Sequence, residues 1–419
     1  MEEIDNLAKE CLNCKNPMCK KGCPILTNIP EFIQCVKTKN MEKAYEILQK
    51  NNIMSQICSM ICPVEEQCVG HCIKGIKNNA VRINRLEELV NIWGKKNNIA
   101  FSVDKKEENN KKVAIIGGGP TGIACAVELR KYGYDVTIFE KEEKIGGILE
   151  YEIPDFRLKK GYVQEIEEKI NKLGIKIKTQ TEFGKTINFN DLNKQEYEAV
   201  FLGIGANISK KYSLTETDSN NIYTASTILR KYHSGEKIND LGKVAVIGGG
   251  NVAMDVARTL KKVKNESVTV IYRRTKELMP AIQEEQADAK KEGVNFIFNT
   301  RVIKAIVNEN NKLERIKCIK TKIDNNNKAV DVPGSEYEIN VNTVIFAIGS
   351  GIDKEFLHSL KIETEDNLVK IDENGMTNIN GVFAGGDLIE KNQTVCRAIA
   401  SGKKAAKGID EYIKNGHSL

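Results

Sequence analysis

Nine of the twelve cysteines lie within the first seventy-two residues, and eight of those nine form two spaced runs. The first is Cys11-x2-Cys14-x4-Cys19-x3-Cys23-Pro24, and the second is Cys58-x3-Cys62-Pro63-x4-Cys68-x3-Cys72. This density constrains the fold more than any other feature of the chain. Residues 1–100 carry no alternating strand pattern, so they read as short helices wrapped around cysteine loops. In a reducing compartment, clustered thiols hold metal more often than they form disulfides. Thiolates suit zinc as well as iron–sulfur clusters. Two observations favour the clusters. Each run places proline directly after a cysteine, as ferredoxin-type sequences do. The x2, x4, x3 spacing also departs from paired C-x-x-C zinc knuckles.

The chain as a whole has the composition of a folded protein. Its 419 residues allow two to four domains, and 41% apolar content supplies real cores. The 63 basic and 57 acidic residues leave a net charge of +6, but they are interleaved. No basic stripe alternates with aromatics, which excludes a nucleic-acid surface. No apolar run is long enough to span a bilayer, and no charged start leads into a short apolar stretch. A cytoplasmic protein with no membrane partner is therefore expected. The four histidines (His71, His233, His358 and His417) are scattered, which argues against histidine-based catalysis.

Periodicity outlines the elements. A helix is expected over Val81 to Trp93, with Ile83, Leu86, Leu89, Val90 and Trp93 on one stripe and Gly94 as its stop signal. The polar stretch 101–111 reads as a linker. Short β-branched strands at Val113–Ile116 and Val244–Ile247 each run into a glycine turn and a helix, which places a parallel sheet in each half. Further strands are expected at Val136–Phe139, Val268–Tyr272, Val344–Ile348 and Val382–Ala384, with a hairpin tip at Asp324–Lys328.

Two glycine turns carry dinucleotide fingerprints. Gly117-x-Gly119-x-x-Gly122 follows a strand and opens a helix, so backbone N–H groups and a helix N-terminus can meet a pyrophosphate. The following strand ends at Glu140, where a carboxylate can accept from both ribose hydroxyls of an unphosphorylated adenosine. Later, Gly385-Gly386-Asp387 follows a strand. An aspartate on such a turn can bind ribityl hydroxyls, and the helix starting near Thr394 can turn its amide end to a flavin pyrimidine. Together they suggest FAD. The second fingerprint, Gly248-x-Gly250-x-x-Ala253-x-Asp255, is followed by a strand ending in Arg273-Arg274, where two guanidinium groups suit a 2′-phosphate. NADP(H) is expected there.

In combination these residues resemble the family of the small (beta) subunit of NADPH-dependent glutamate synthase. The likeness extends to the NADPH-binding subunit of NADH-dependent ferredoxin:NADP oxidoreductase and to the N-terminal half of dihydropyrimidine dehydrogenase. It runs from about Leu7 to Tyr412. The most specific pieces are GGGNVAMD (Gly248–Asp255), YRRTKELMPA (Tyr272–Ala281), GGILEYEIPDFRL (Gly146–Leu158), VFAGGD (Val382–Asp387) and the cysteine runs. The resemblance implies two Rossmann-like domains, the NADP domain inserted in the FAD domain, after an α-helical domain holding two [4Fe-4S] clusters. Expected boundaries are 1–100 for the cluster domain, 112–230 and 345–419 for FAD, and 231–344 for NADP. It also implies Pro120, Thr121, Gly146, Gly147, Arg157, Asp387 and Val395 at FAD, and Asn251, Val252 and Asp255 at NADP. Glu152 departs from the family's usual glycine between Tyr151 and Ile153. A carboxylate near the flavin would lower its potential; a side chain turned to solvent would do nothing.

By the same resemblance, Cys11, Cys14, Cys19 and Cys72 hold one cluster, while Cys23, Cys62 and Cys68 hold the other. Its fourth ligand is Glu87, with Cys58 as the competitor. On the helical stripe Glu87 lies at the apolar edge, beside Ile83 and Val90, and Glu88 points away. Cys35, Cys125, Cys318 and Cys396 stand alone and read as small packing residues. Cys125 near the first fingerprint lacks a partner, which argues against a disulfide reductase.

The expected activity is electron transfer from NADPH through FAD and the clusters to a partner. Hydride transfer between bound cofactors needs alignment and no acid–base residue. The partner implied is the glutamate synthase large subunit, which makes glutamate from glutamine and 2-oxoglutarate. A ferredoxin or flavoprotein partner, with or without bifurcation, is the alternative, and a redox-sensing or scaffold subunit is the reading of another class.

Overall fold

The computed structural model describes residues 2–77, 79–214, 221–265 and 267–419. It divides into two compact units. One comprises Met1–Glu150, Asp155–Gly205 and Ile352–Leu419; the other comprises Tyr151–Pro154 and Ala206–Gly351.

The first unit opens with helices α1 (Glu2–Lys9), α2 (Met18–Gly22), α3 (Ile29–Lys37), α4 (Met41–Asn51), α5 (Ser55–Ile61) and α6 (Ile83–Lys96). Phe32, Ile33, Val36, Leu48, Ile57, Leu86 and Val90 form their apolar interior. The helix expected to stop at Gly94 continues through it. Gly94 is there for packing: a Cβ at that position would lie 2.4 Å from Cδ2 of Tyr45 on α4. A glycine stops a helix only where the chain must leave it, and here the close approach of two helices uses the missing side chain instead.

A chain of buried and partly buried hydrogen bonds crosses this bundle. Lys169 Nζ donates to Gln49 Oε1 (2.7 Å), and Gln49 Nε2 donates to Asn91 Oδ1 (2.7 Å). Asn91 Nδ2 donates to Ser55 Oγ (2.9 Å), which donates to Glu87 Oε1 (2.6 Å). Polar groups placed inside a bundle are tolerated only when paired in this way.

The expected linker at 101–111 is a strap rather than a spacer. Lys106 N donates to Lys131 O (2.9 Å) and Asn109 N to Gly133 O (3.1 Å), and Glu108 pairs with Arg130. Its polar side chains hid the fact that its backbone groups are bonded.

Five parallel strands follow in the order Val382–Ala384, β4 (Tyr197–Leu202), β1 (Lys112–Ile116), β2 (Asp135–Phe139) and β3 (Lys176–Lys178). Helix α7 (Pro120–Lys131) and the C-terminal helix Val395–Lys414 pack on one another beside this sheet, and α8 (Gly161–Lys172) connects to β3. Val113, Ile115, Val136, Ile138, Val200 and Phe201 are buried on the near-continuous apolar strands that a sheet covered on both faces requires.

The second unit has its own parallel sheet, in the order β5 (Ile222–Thr224), β13 (Thr343–Phe346), β6 (Lys243–Ile247), β7 (Ser267–Ile271) and β8 (Asn295–Ile297). Helix α9 (Ala225–His233) follows β5, α10 (Asn251–Lys262) follows β6 and α11 (Gln283–Lys291) precedes β8. An antiparallel layer joins β9 (Thr300–Val307), β10 (Leu313–Ile323), β11 (Ala329–Asp331) and β12 (Tyr337–Asn340). The tip at Asp324–Lys328 links β10 to β11. The second unit begins and ends outside 231–344: β5 pairs with β13, so residues from 206 onward and strand 343–346 belong to this sheet.

Glu152 also belongs to the second unit. Its Oε1 accepts from Ser226 Oγ (2.8 Å) and Arg230 Nε (3.3 Å), and Arg230 lies over the Tyr151 ring. The carboxylate expected to meet either flavin or solvent is thus charge-compensated by a guanidinium.

Two stability measurements test this packing. In an open helix Gly→Ala gains about 1 kcal/mol, but Gly94→Ala drives a methyl into the Tyr45 ring and should lose about 1–3 kcal/mol in a urea melt. Burial lowers the Lys169 ammonium to about 8. Below that pH both folded and unfolded states are protonated and the burial penalty is fully present. From about 8 to the unfolded value near 10.5 the folded state has shed its proton, so stability rises with pH. The rise should be at most about 3 kcal/mol and absent from Lys169→Met.

Candidate functional site

The first fingerprint sits at the carboxyl edge of its sheet, where ligands of open α/β folds bind. Gly117 has φ 101°, and a Cβ there would lie 2.6 Å from Gly203 O at the end of β4. A Cβ on Gly122 would lie 2.0 Å from Gly117 O, so the turn closes only without side chains. Gly119 differs: nothing stands within 4 Å of where its Cβ would be. That open face, at the start of α7 with Pro120 in its first position, fits a pyrophosphate.

Glu140 is fixed at the end of β2. Its Oε2 accepts from Gly118 N (2.7 Å) and its Oε1 from Glu142 N (2.9 Å). Gly146 N donates to Gly118 O (2.7 Å), which folds the Gly146-Gly147 pair onto the fingerprint. Arg157 is half-buried in the same unit. Gly386 N donates to Ser401 Oγ (2.7 Å), and the Thr121 hydroxyl lies 3.4 Å from that of Ser401. Burial, with Glu390 nearby, pushes the Asp387 carboxyl up to about 6. A hydrogen-bonding ribityl chain would satisfy such a half-buried acid. Thr394 caps the C-terminal helix by accepting from Arg397 N (3.3 Å), and Val395 begins it.

The second fingerprint repeats the arrangement at the edge of the second unit's sheet. Gly248 has φ 150°, and a Cβ there would meet Ala347 O at 2.2 Å. Gly250 faces open space, and Ala253 is fully buried under the turn. Asn251 Oδ1 accepts from Ile282 N (2.9 Å), Val252 is exposed on the first helical turn, and Asp255 is buried. At the end of β7 the two arginines differ. Arg273 is exposed, whereas Arg274 donates from Nε to the Tyr272 hydroxyl (2.7 Å) and lies over that ring. A braced guanidinium beside an exposed one suits an anion arriving from solvent.

Both cysteine runs converge within the first unit. Cys11, Cys14, Cys19 and Cys72 line one cavity with Ile29, Ile33 and Val81; it holds about 440 Å³ of atom-free space, part of it open to solvent. Burial pushes the Cys19 thiol up to about 11. Four thiolates on one zinc, at Zn–S of about 2.3 Å, stand about 3.8 Å apart. Among the described residues, the one group of three or more potential ligand atoms lying mutually within 4.8 Å is Cys58, Cys62 and Cys396. No three of the four thiols around this cavity lie mutually within 4.8 Å.

The other set is more deeply placed. Cys23 and Cys68 are buried, and Cys23 Sγ donates to Thr27 Oγ1 (3.4 Å). Burial raises the Cys68 thiol, with Glu87 adding to the effect. Burial likewise pushes the Glu87 carboxyl up to about 8, opposed by its bond from Ser55. Its neighbour Glu88 pairs with Arg85. Cys58 Sγ accepts from Asn52 Nδ2 (3.3 Å).

Cys396 corrects the sequence reading. Expected to be an isolated packing residue, it is buried on the first turn of the C-terminal helix with its sulfur within 4.8 Å of Cys58 and Cys62. Nothing in its local sequence signals this, because it lies 324 residues beyond Cys72 (396 − 72). Cys125 and Cys318 are buried and Cys35 is half-buried, as packing residues are.

Comparison with known proteins gives the family of each part of the chain. Residues 83–220 and 111–402 match the pyridine nucleotide-disulphide oxidoreductase family. Residues 1–99 match the family described as dihydropyrimidine dehydrogenase domain II, 4Fe-4S cluster. The chain is 32% identical to the glutamate synthase [NADPH] small chain of Escherichia coli K12, over 97% of this chain and 91% of that one. It is 32% identical to the NAD-dependent dihydropyrimidine dehydrogenase subunit PreT of Escherichia coli O157:H7, over 98% and 94%. Among solved structures, Mycobacterium tuberculosis FprA in complex with NADPH superimposes with a TM-score of 0.62 at 16% identity, covering 74% of this chain and 85% of that one, which shows a shared fold. No helix among the described residues is long and apolar enough to cross a membrane. These family matches make this chain a flavin, NADP and 4Fe-4S oxidoreductase that belongs to the pyridine nucleotide-disulphide oxidoreductase family and to the family of glutamate synthase small chains.

Proposed function

We propose that this chain is the electron-input subunit of a glutamate synthase: it oxidises NADPH and delivers single electrons to a large partner subunit that makes glutamate from glutamine and 2-oxoglutarate. The observation that carries the reading is the pair of unlike strand ends. Glu140 is pinned by two backbone N–H groups, while Arg273 and Arg274 stand at the corresponding end of β7. One site thus suits an unphosphorylated adenosine and the other a 2′-phosphate. Full-length similarity to a glutamate synthase small chain supports the partner.

Bound FAD would supply conversion between two-electron and one-electron chemistry, and iron–sulfur clusters would supply one-electron conduction. The protein's residues bind and orient. Gly117, Gly119, Gly122, Gly146 and Gly147 admit the FAD pyrophosphate, with Pro120 and Thr121 at the helix start. Glu140 accepts from the ribose, Asp387 from the ribityl chain, and Arg157, Gly386, Thr394 and Val395 complete the site. Gly248, Gly250, Asn251, Val252, Ala253 and Asp255 form the NADP turn. Cys11, Cys14, Cys19 and Cys72 hold one [4Fe-4S] cluster; Cys23, Cys62, Cys68 and Glu87 hold a second. No proton-transferring side chain is assigned.

The similarity to a dihydropyrimidine dehydrogenase subunit supports a different acceptor as the second reading. Affinity purification from the native cell separates the two. Recovery of an amidotransferase-bearing large chain supports the first; a pyrimidine-reducing chain, a ferredoxin or a flavoprotein overturns it.

Two outcomes test the sites. Arg273→Ala with Arg274→Ala should raise KM for NADPH about 10–100-fold, the loss of one or more charge-assisted bonds worth about 1.5–3 kcal/mol, and leave NADH nearly unchanged. Cys14→Ser should lower iron from about eight to about four atoms per chain and remove one of two reduced-cluster EPR signals.

A further inference from the structure

The second thiol site holds more sulfur than a cluster uses. Cys23, Cys58, Cys62, Cys68 and Cys396 converge there together with Glu87. Of these, Cys58, Cys62 and Cys396 have sulfurs mutually within 4.8 Å. Cys396 also lies against Cys23, close enough for their side chains to hydrogen-bond. Terminal thiolates of a four-iron cubane bind separate irons at alternate corners. They therefore stand farther apart than the roughly 3.8 Å between thiolates sharing one zinc. Sulfurs mutually within 4.8 Å are closer than three terminal ligands of one cubane would stand, so on the two-cluster reading one of the three would ligate and the other two would flank it.

The surroundings sort them. Cys62 heads the Cys62-Pro63 step that ferredoxin-type sequences use for ligation. Cys58, one helical turn before it on α5, already accepts from Asn52 Nδ2 at 3.3 Å. Cys396 comes from a distant element, the first turn of the helix that Thr394 caps. Its sulfur is buried beside those of Cys58 and Cys62 and against that of Cys23, within hydrogen-bond reach of all three.

Resting on the two-cluster reading above, we propose that Cys396 is a positioning residue for the second cluster: its S–H donates to the ligand sulfur of Cys62, packs against Cys23, and raises the cluster's reduction potential. The physical cause is electrostatic. A donor beside a ligating sulfur stabilises the more negative, reduced state. The same first turn carries Thr394 and Val395 of the proposed flavin site. One helix start would therefore set the environment of both groups between which the electron moves.

The test uses the holoprotein purified anaerobically, with iron, sulfide and FAD content, EPR-monitored potentiometric titration, and two variants. Cys396→Val removes the donor at similar volume. Both clusters and FAD should remain, one cluster's midpoint should shift to more negative potential, and the other cluster's midpoint should stay in place. Cys396→Ser keeps a donor and should bring the shifted midpoint back toward the wild-type value. An unchanged midpoint in Cys396→Val overturns the proposal. So does loss of about four irons in that variant, because Cys396 would then be a ligand. Wild-type protein carrying zinc or a single cluster overturns the two-cluster reading itself, and is seen before any variant is compared.

Discussion

The close approach of the C-terminal helix to α7 is the contact on which the first unit depends. A Cβ on Gly402 would lie 2.2 Å from Thr121 O, so the two helices meet at backbone distance. This lets Ser401 reach both Gly386 N and the neighbourhood of Thr121, fixing the late glycine turn against the first fingerprint. Farther along, Tyr134 donates to Asp410 Oδ1 at 3.0 Å, and Lys403 reaches Asn51 O at 2.8 Å. At its start the helix delivers Cys396 to the thiol site. A residue with any side chain at position 402 would separate the helices and loosen all of these contacts together.

Helices α4, α5 and α6 are joined to α8 by polar chemistry inside the first unit. The chain from Lys169 through Gln49, Asn91 and Ser55 to Glu87 spans α8, α4, α6 and α5. Hydrogen bonds of this kind add modest net stability but are costly to leave unmade, so they fix geometry more than they add energy. Here they hold the Glu87 carboxylate at a defined position beside the buried thiols. The lowered affinity of Lys169 for its proton is the cost of ending such a chain on a buried ammonium.

Much of the architecture was legible in the sequence. The strands at 113–116, 136–139 and 244–247 could be read because apolar β-branched runs ending in glycine carry both their period and their stop. The final strand, Val382–Ala384, occurs where its apolar run and following Gly385-Gly386 put it. Gly94 misled because a glycine has the same appearance whether it ends a helix or admits a tyrosine ring. The strap at 101–111 misled because its tertiary bonds are made by backbone groups, which composition does not report. The extent of the second unit was missed at both ends because β5 is three residues long and gains its identity only from pairing with β13.

The sequence alone determined which chemical groups exist and their local order. Glycines allow turns that no side chain would permit, Glu140 and the Arg273-Arg274 pair end their strands with opposite charge, and two cysteine runs supply thiolates. These are properties of neighbours along the chain, so local sterics and charge fix them. Tertiary structure alone decided which distant groups meet: Glu152 with Arg230, Ser55 with Glu87, and Cys396 with Cys58 and Cys62. Such meetings depend on where whole helices come to rest, and that is set by packing summed over many residues rather than by any motif around the residue itself.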